Sequence, residues 1–219
     1  MERAMTKGID RSVLLVRTGR TVWDEAGRLA GSSDLPLCDE GVERARSMAE
    51  SIGAEGSLSA ILCASDEASL ETSRALASRC GGRVRVVKGL GEVGLGLWEG
   101  LTPAELVEKY PKAYKKWRAD PSGVKIPQGE PLNEAQVRVM RSLHRALERF
   151  RASQRVGVVL RPLAFALALG SIDDRPISSM WELFEDQPVR WWSVRQERSR
   201  LGLGGRVLGQ PGAKLGKAS

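Results

Sequence analysis

The sequence predicts an α/β fold: a three-layer α/β/α sandwich around a mostly parallel central sheet. Two observations carry the prediction. Short apolar runs recur at residues 13–16, 59–63 and 156–160 and suit strands that bury both faces, and residues 83–87 add an alternating, β-branched one. Helical patterns lie between these runs, which implies a mostly parallel sheet with right-handed crossovers, covered on both faces. The length, 219 residues, fits one such unit, and no internal repeat or composition shift asks for a second.

The first strand, Val13-Leu14-Leu15-Val16, stops at the charged turn Arg17-Thr18-Gly19-Arg20. In open α/β sheets, ligands bind beyond the carboxyl ends of strands, so arginines placed there are candidate anion ligands. Residues 32–37 read as loop, and Asp39 as the N-cap of a helix that runs to about residue 52 and ends at Gly53. Residues 59–63 form the second strand, and a helix over residues 67–78 follows it. Residues 83–87, Arg-Val-Arg-Val-Val, alternate as a third strand and lead into a glycine-rich loop over residues 89–100.

Thr102-Pro103-Ala104-Glu105 is a capping box with proline at the first helical position, opening a helix to Lys109. Pro111 begins another helix through Trp117, and residues 121–129 are loop. The longest helical pattern covers residues 131–151, with Leu132, Ala135, Val139, Leu143, Ala146, Leu147 and Phe150 on one stripe and His144 beside it. Residues 156–160 form a fourth strand, residues 162–169 a helix, residues 181–184 a short helical turn, and residues 189–194 a further strand near the sheet edge. This reading divides the chain into an N-terminal extension (1–11), one domain (12–208) and a basic tail (209–219).

Composition excludes several classes. No apolar run approaches the roughly 20 residues of a membrane span, and the first ten residues lack the apolar core of a signal peptide; a cytoplasmic protein is expected, with no membrane partner. Cys38, Cys63 and Cys80 make no metal-ligand spacing, and the chain has one histidine, so neither a metal nor a cofactor is expected. Net charge is +7. From Arg190 onward seven basic residues face one acid, which places the excess at the C-terminal end. Trp191-Trp192 beside that excess reads as one core residue and one edge cover.

The stretch over residues 12–31 resembles the signature of the histidine phosphatase superfamily, the phosphoglycerate-mutase-like proteins, in which the first strand ends in Arg-His-Gly-Glu followed by Thr-x-Trp-Asn and Gly-Arg. Trp23, Gly27, Arg28, Gly31, Asp34, Pro36, Leu37, Gly41 and Ala45 fit the pattern. So do Leu90, Glu92, Gly96, Trp98, Glu99, Gly100 and Leu101, then Tyr110-Pro111, Trp117 and Gly129-Glu130. The resemblance implies the superfamily's three-layer fold. It also locates the superfamily's five catalytic positions in this chain. The first arginine is Arg17 and the acid is Glu92. The first histidine falls on Thr18, the second arginine on Ala68 and the second histidine on Arg161.

Three of these five groups are therefore of the wrong type, and His144 matches none. Threonine lacks an imidazole's near-neutral pKa, and a phosphothreonine would not be released readily. The resemblance thus implies a catalytically inactive member with a binding, regulatory or structural role. Arg17, Thr18, Arg20, Arg161 and Glu92 would form a remnant pocket for a phosphate-like anion or phosphorylated small molecule, unless Arg161 closes it by bridging to Glu92 and Glu99. Two other readings stay open. One is a phosphomonoesterase or mutase rewired around Cys63 or Glu92. The other is a protein or polyanion adaptor, nucleic acid included, acting through the basic tail and the Trp191-Trp192 region. The oligomeric state is not set by the sequence.

Overall fold

A computed structural model of the chain describes residues 11–151, 153–185, 191–197 and 200–203. β1 (Arg11–Arg17) is followed by a single-turn helix α1 (Val22–Glu25) and by α2 (Asp39–Ala54). Then come β2 (Ala60–Cys63), α3 (Glu67–Cys80) and β3 (Arg83–Val86). After two short 3-10 turns the chain forms α4 (Pro103–Lys109), α5 (Pro111–Ala119) and the long α6 (Leu132–Leu147). β4 (Arg155–Leu160), α7 (Pro162–Ile172), α8 (Met180–Glu185), β5 (Trp191–Glu197) and β6 (Arg200–Leu203) complete it.

The sheet order is β3-β2-β4-β1-β5-β6. The first four strands are parallel, and β5 and β6 add antiparallel to β1. This is the expected α/β sandwich. β1 shows why it has three layers: Val13 and Leu15 pack on one face against α6 and α7, while Leu14 and Val16 pack on the other against α2 and α3. Side chains alternate across a strand, so an unbroken apolar run must be covered on both sides. Each fully buried leucine or valine contributes about 1.5–3 kcal/mol relative to exposure.

Local signals held with small shifts. Thr102 and Glu105 form the capping box: Thr102 Oγ1 accepts the Glu105 N–H, and the Glu105 carboxylate accepts the Thr102 N–H at 2.8 Å. Cys38, not Asp39, is the N-cap of α2; Asp39 sits in the first turn, where its charge favours the positive end of the helix dipole. α6 buries the predicted stripe but ends at Leu147, and Phe150 reaches the core from the turn beyond. β6 was not foreseen, because two glycine-separated leucines give little strand signal. The expected strand over residues 189–194 begins outside the described residues and continues through Glu197 as β5. Trp191 is buried in the core as expected; the N-terminal extension and the basic tail lie outside the described residues, apart from Arg11.

Candidate functional site

Register brings the first two site residues together. β1 pairs with β4 so that Arg17 lies opposite Leu160, and Thr18 donates its N–H to the Leu160 carbonyl at 2.9 Å. The next residue of each strand, Thr18 and Arg161, therefore leaves the sheet side by side. Both are buried, Thr18 at 7% and Arg161 at 2% exposure. Behind Thr18, the loop at Gly19 closes directly on the backbone of α2 at Gly41. A Cβ on Gly19 would collide with the Gly41 carbonyl, and one on Gly41 with the Arg20 carbonyl.

Arg161 is the N-cap of α7 but does not cap it with its side chain. Its guanidinium donates to the Ser33 carbonyl at 2.7 Å and stands 4.0 Å from the Asp66 carboxylate, while its Nε has no partner. The helix is capped instead by Glu92, from a different loop. Its carboxylate accepts the N–H groups of Leu163 at 2.8 Å and Ala164 at 2.7 Å, together with that of Val93 at 2.8 Å. Burial pushes the Glu92 carboxyl above its ordinary value, opposed first by the Arg161 charge and then by these three N–H donors. Burial likewise lowers the Arg17 pKa, opposed by Asp24 and Glu92; an arginine at this depth stays protonated.

The loop bearing Glu92 is itself held by a group that sequence reasoning missed. Arg138 on α6 donates to the carbonyls of Gly89, Gly91 and Glu92, and forks onto the Glu130 carboxylate at 2.7 and 2.6 Å. The only sequence signal was an arginine off the apolar stripe of a long helix, which is commonplace. Glu99 plays a similar anchoring part, accepting from Ser32, Ser33 and Leu95. Burial works against its charge, yet these hydrogen bonds hold its carboxyl below the ordinary range.

Beyond Arg161 and Glu92 opens a cleft of about 230 Å³. Its walls include Leu29, Tyr114, Trp117, Leu163 and Trp181, with Arg28 contributing a cation. Trp117 and Trp181 meet edge to face at 5.4 Å, and Trp181 donates its indole N–H to the Trp117 carbonyl at 2.8 Å. The cleft is therefore a stiff apolar chamber with a charged floor, a form that small-molecule sites commonly take.

The other predicted residues fall differently. Arg20 does not converge on this site: its guanidinium binds Glu40 at 2.5 Å and the Asp24 carbonyl at 2.9 Å. The reason is the tight Gly19–Gly41 approach, which carries Arg20 onto the first turn of α2. Ala68 is fully buried against Leu37 and Ala45. Cys63 is fully buried, and burial pushes its thiol upward, the opposite of an activated thiolate. His144 is half-buried on α6 and does not line the cleft. Arg161 acts on Glu92 through its charge but bridges to neither Glu92 nor Glu99: it stands 4.0 Å from Asp66, Glu99 binds Ser32 and Ser33, and a cleft remains beside it.

Residues 13–201, nearly the whole described chain, match the histidine phosphatase superfamily, branch 1. The chain belongs to that superfamily. Among its relatives, phosphoglycerate mutase-like protein 4 of Arabidopsis thaliana is 29% identical over 69% of this chain and 68% of its own length. The protein named probable phosphoglycerate mutase GpmB of Photorhabdus laumondii is 32% identical over 60% of each chain. This histidine phosphatase homologue thus spans about two thirds of these relatives' length. In fold it is similar to YhfR of Bacillus stearothermophilus, with TM-score 0.80 and 21% identity, covering 89% of this chain and 95% of that one. A mycobacterial glucosyl-3-phosphoglycerate phosphatase, solved in complex with inorganic phosphate, overlays with TM-score 0.73 and 24% identity over 88% and 96% of the two chains. Among the described residues, no helix is long and apolar enough to cross a membrane, and no cluster of histidine, cysteine or carboxylate side chains is arranged to hold a metal.

Proposed function

We propose that this chain is a non-catalytic member of the histidine phosphatase superfamily, retained to bind a phosphate-like anion or phosphorylated small molecule in the cleft beside Arg161. The observation that carries the reading is the pairing of Thr18 with Arg161 at the ends of β1 and β4. The resemblance assigns these two positions to the superfamily's histidines. Among the described residues Thr18 Oγ1 has no hydrogen-bond partner and none is placed as a base to take its proton, and a hydroxyl without a base is a poor nucleophile. A phosphoryl group transferred to it would remain as a stable ester.

The neighbouring positions support the same reading. Ala68 supplies no clamp for phosphoryl oxygens, and Cys63 is a buried, protonated thiol rather than a replacement acceptor. Glu92 has both oxygens occupied by backbone N–H groups, which suits a fixed cap better than a proton shuttle. What the site keeps is cationic character: Arg161, with one N–H that has no partner among the described residues, and Arg28 line an apolar chamber sized for a small molecule, while Arg17 lies outside its lining. A complex of a similarly folded phosphatase with inorganic phosphate supports this ligand class.

The test is a pair of measurements on one preparation. Purified protein is expected to show no turnover of p-nitrophenyl phosphate or 3-phosphoglycerate, while a phosphate ester raises its melting temperature. At about a hundredfold excess over Kd the stabilisation is roughly 2.7 kcal/mol, and Arg161→Ala is expected to remove it. Turnover by the unmodified protein that disappears in Arg17→Ala would overturn the proposal.

A further inference from the structure

Away from the cleft, β3 is the outermost strand on the side remote from β6, and no described residue pairs with its outer edge. Val87 donates its N–H to the Cys63 carbonyl at 2.8 Å. The two-residue period of a strand then turns the backbone of Arg83 and Arg85 toward β2 and that of Val84 and Val86 outward. Val86 is 55% exposed. Along the same edge runs a groove of about 300 Å³, with Leu62, Val87 and Phe150 as apolar lining and Arg85, Arg145 and Arg149 as its charged groups.

These three arginines are gathered on one groove without a carboxylate among its lining. Arg44, Arg46, Arg79 and Arg155 each meet a carboxylate. Arg85, Arg145 and Arg149 meet none among the described residues. Arg85 lies over the Phe150 ring, 5.2 Å from its centroid, a cation–π contact that holds the guanidinium at the groove.

We propose that this edge is a docking site for an extended acidic segment of a partner protein, which adds as a strand beside β3. Its backbone would pair with the outward N–H and C=O groups of Val84 and Val86, and acidic side chains on every second residue would face the three arginines. Strand addition supplies affinity through main-chain hydrogen bonds and specificity through alternate side chains. The arginines select the partner in both directions. Like charges on a paired edge oppose association of β3 with another copy of itself, the common protection of edge strands, while the same charges admit a strand of opposite sign. The residues between the acids would fall on the opposite face of the sheet, beside Val84 and the exposed Val86.

The experiment is fluorescence anisotropy with a labelled peptide of about eight alternating glutamate and valine residues, long enough for one typical strand. A second peptide of the same sequence carries N-methyl groups on alternate amides, which remove strand donors and leave the charge intact. Inorganic polyphosphate serves as competitor. The unmethylated peptide is expected to bind, and to lose about tenfold or more in affinity both on methylation and in the double variant Arg145→Glu/Arg149→Glu. Val86→Pro, which removes only an outward N–H, is expected to weaken binding similarly, with its melting temperature confirming the fold. No binding, equal binding of the methylated peptide, or displacement by polyphosphate as effective per charge as by free peptide would overturn the proposal. The last two would identify a site for charge alone.

Discussion

Glu92 receives three backbone N–H groups while facing a buried guanidinium, and nothing else near the end of β4 can take its place. In Glu92→Gln, an amide NH₂ would face one of those donors, and Arg161 would lose the opposing Glu92 charge while keeping the Asp66 carboxylate at 4.0 Å. The expected cost is about 3 kcal/mol in denaturant unfolding; unchanged stability would mean that Glu92 does not cap α7. Glu99 makes a prediction about pH. Its folded pKa lies below the ordinary 4.5, so the stability it confers is complete above that value and is lost as pH falls through the folded pKa. Glu99→Gln should flatten the acid limb of a stability–pH curve. Glu92 works in the opposite sense: its raised pKa means its contribution declines as pH rises from 4.5 toward the folded value. Ala68 is fully buried. Ala68→Arg should cost more than about 2 kcal/mol, because it forces a charge into the apolar contact with Leu37 and Ala45. Restoring that arginine together with histidines at positions 18 and 161 should therefore unfold the chain before it restores activity, which circular dichroism and a phosphatase assay would separate.

At the scale of elements, the loop after β1 and the start of α2 depend on two glycines that touch backbone to backbone. Neither Gly19 nor Gly41 has a positive φ, so the requirement is for space and not for an unusual backbone conformation. Gly41→Ala should destabilise by about 2–4 kcal/mol, read from the urea midpoint, as the carbonyl of Arg20 has no way to yield. This element also explains why Arg20 could be named from the sequence yet misplaced. Its position one turn past the strand was legible, but its direction was set by the Gly41 approach, which no local pattern announces. The α6 stripe was legible because burial imposes the helical period on the residue types themselves. Arg138, on the polar flank of the same helix, was not: three of its hydrogen bonds fall on a loop 46 to 49 residues earlier in the chain.

For the whole molecule, β5 and β6 close the sheet beside β1, whose Val13–Val16 run would otherwise present an apolar edge. A chain ending at residue 190 should form soluble aggregates or precipitate, detectable by light scattering, because an open hydrophobic edge recruits further strands. The opposite edge, β3, is guarded by arginines instead of by another strand.

The sequence by itself determined the sandwich, the order of its parallel strands and helices, and the positions Arg17, Thr18, Glu92 and Arg161. Each rests on a signal carried by neighbouring residues: an apolar run, a capping box, a helical period, or a motif read in order. Tertiary structure alone decided which of these side chains meet. It placed Thr18 beside Arg161 through the register of two strands far apart in the chain, turned Arg20 away, and gave the Glu92 carboxylate to the first turn of α7. It also left an apolar cleft open over Arg161. Contacts of this kind are fixed by packing across the sheet, where a shift of one residue in register would exchange every partner, and that information is not local to any segment.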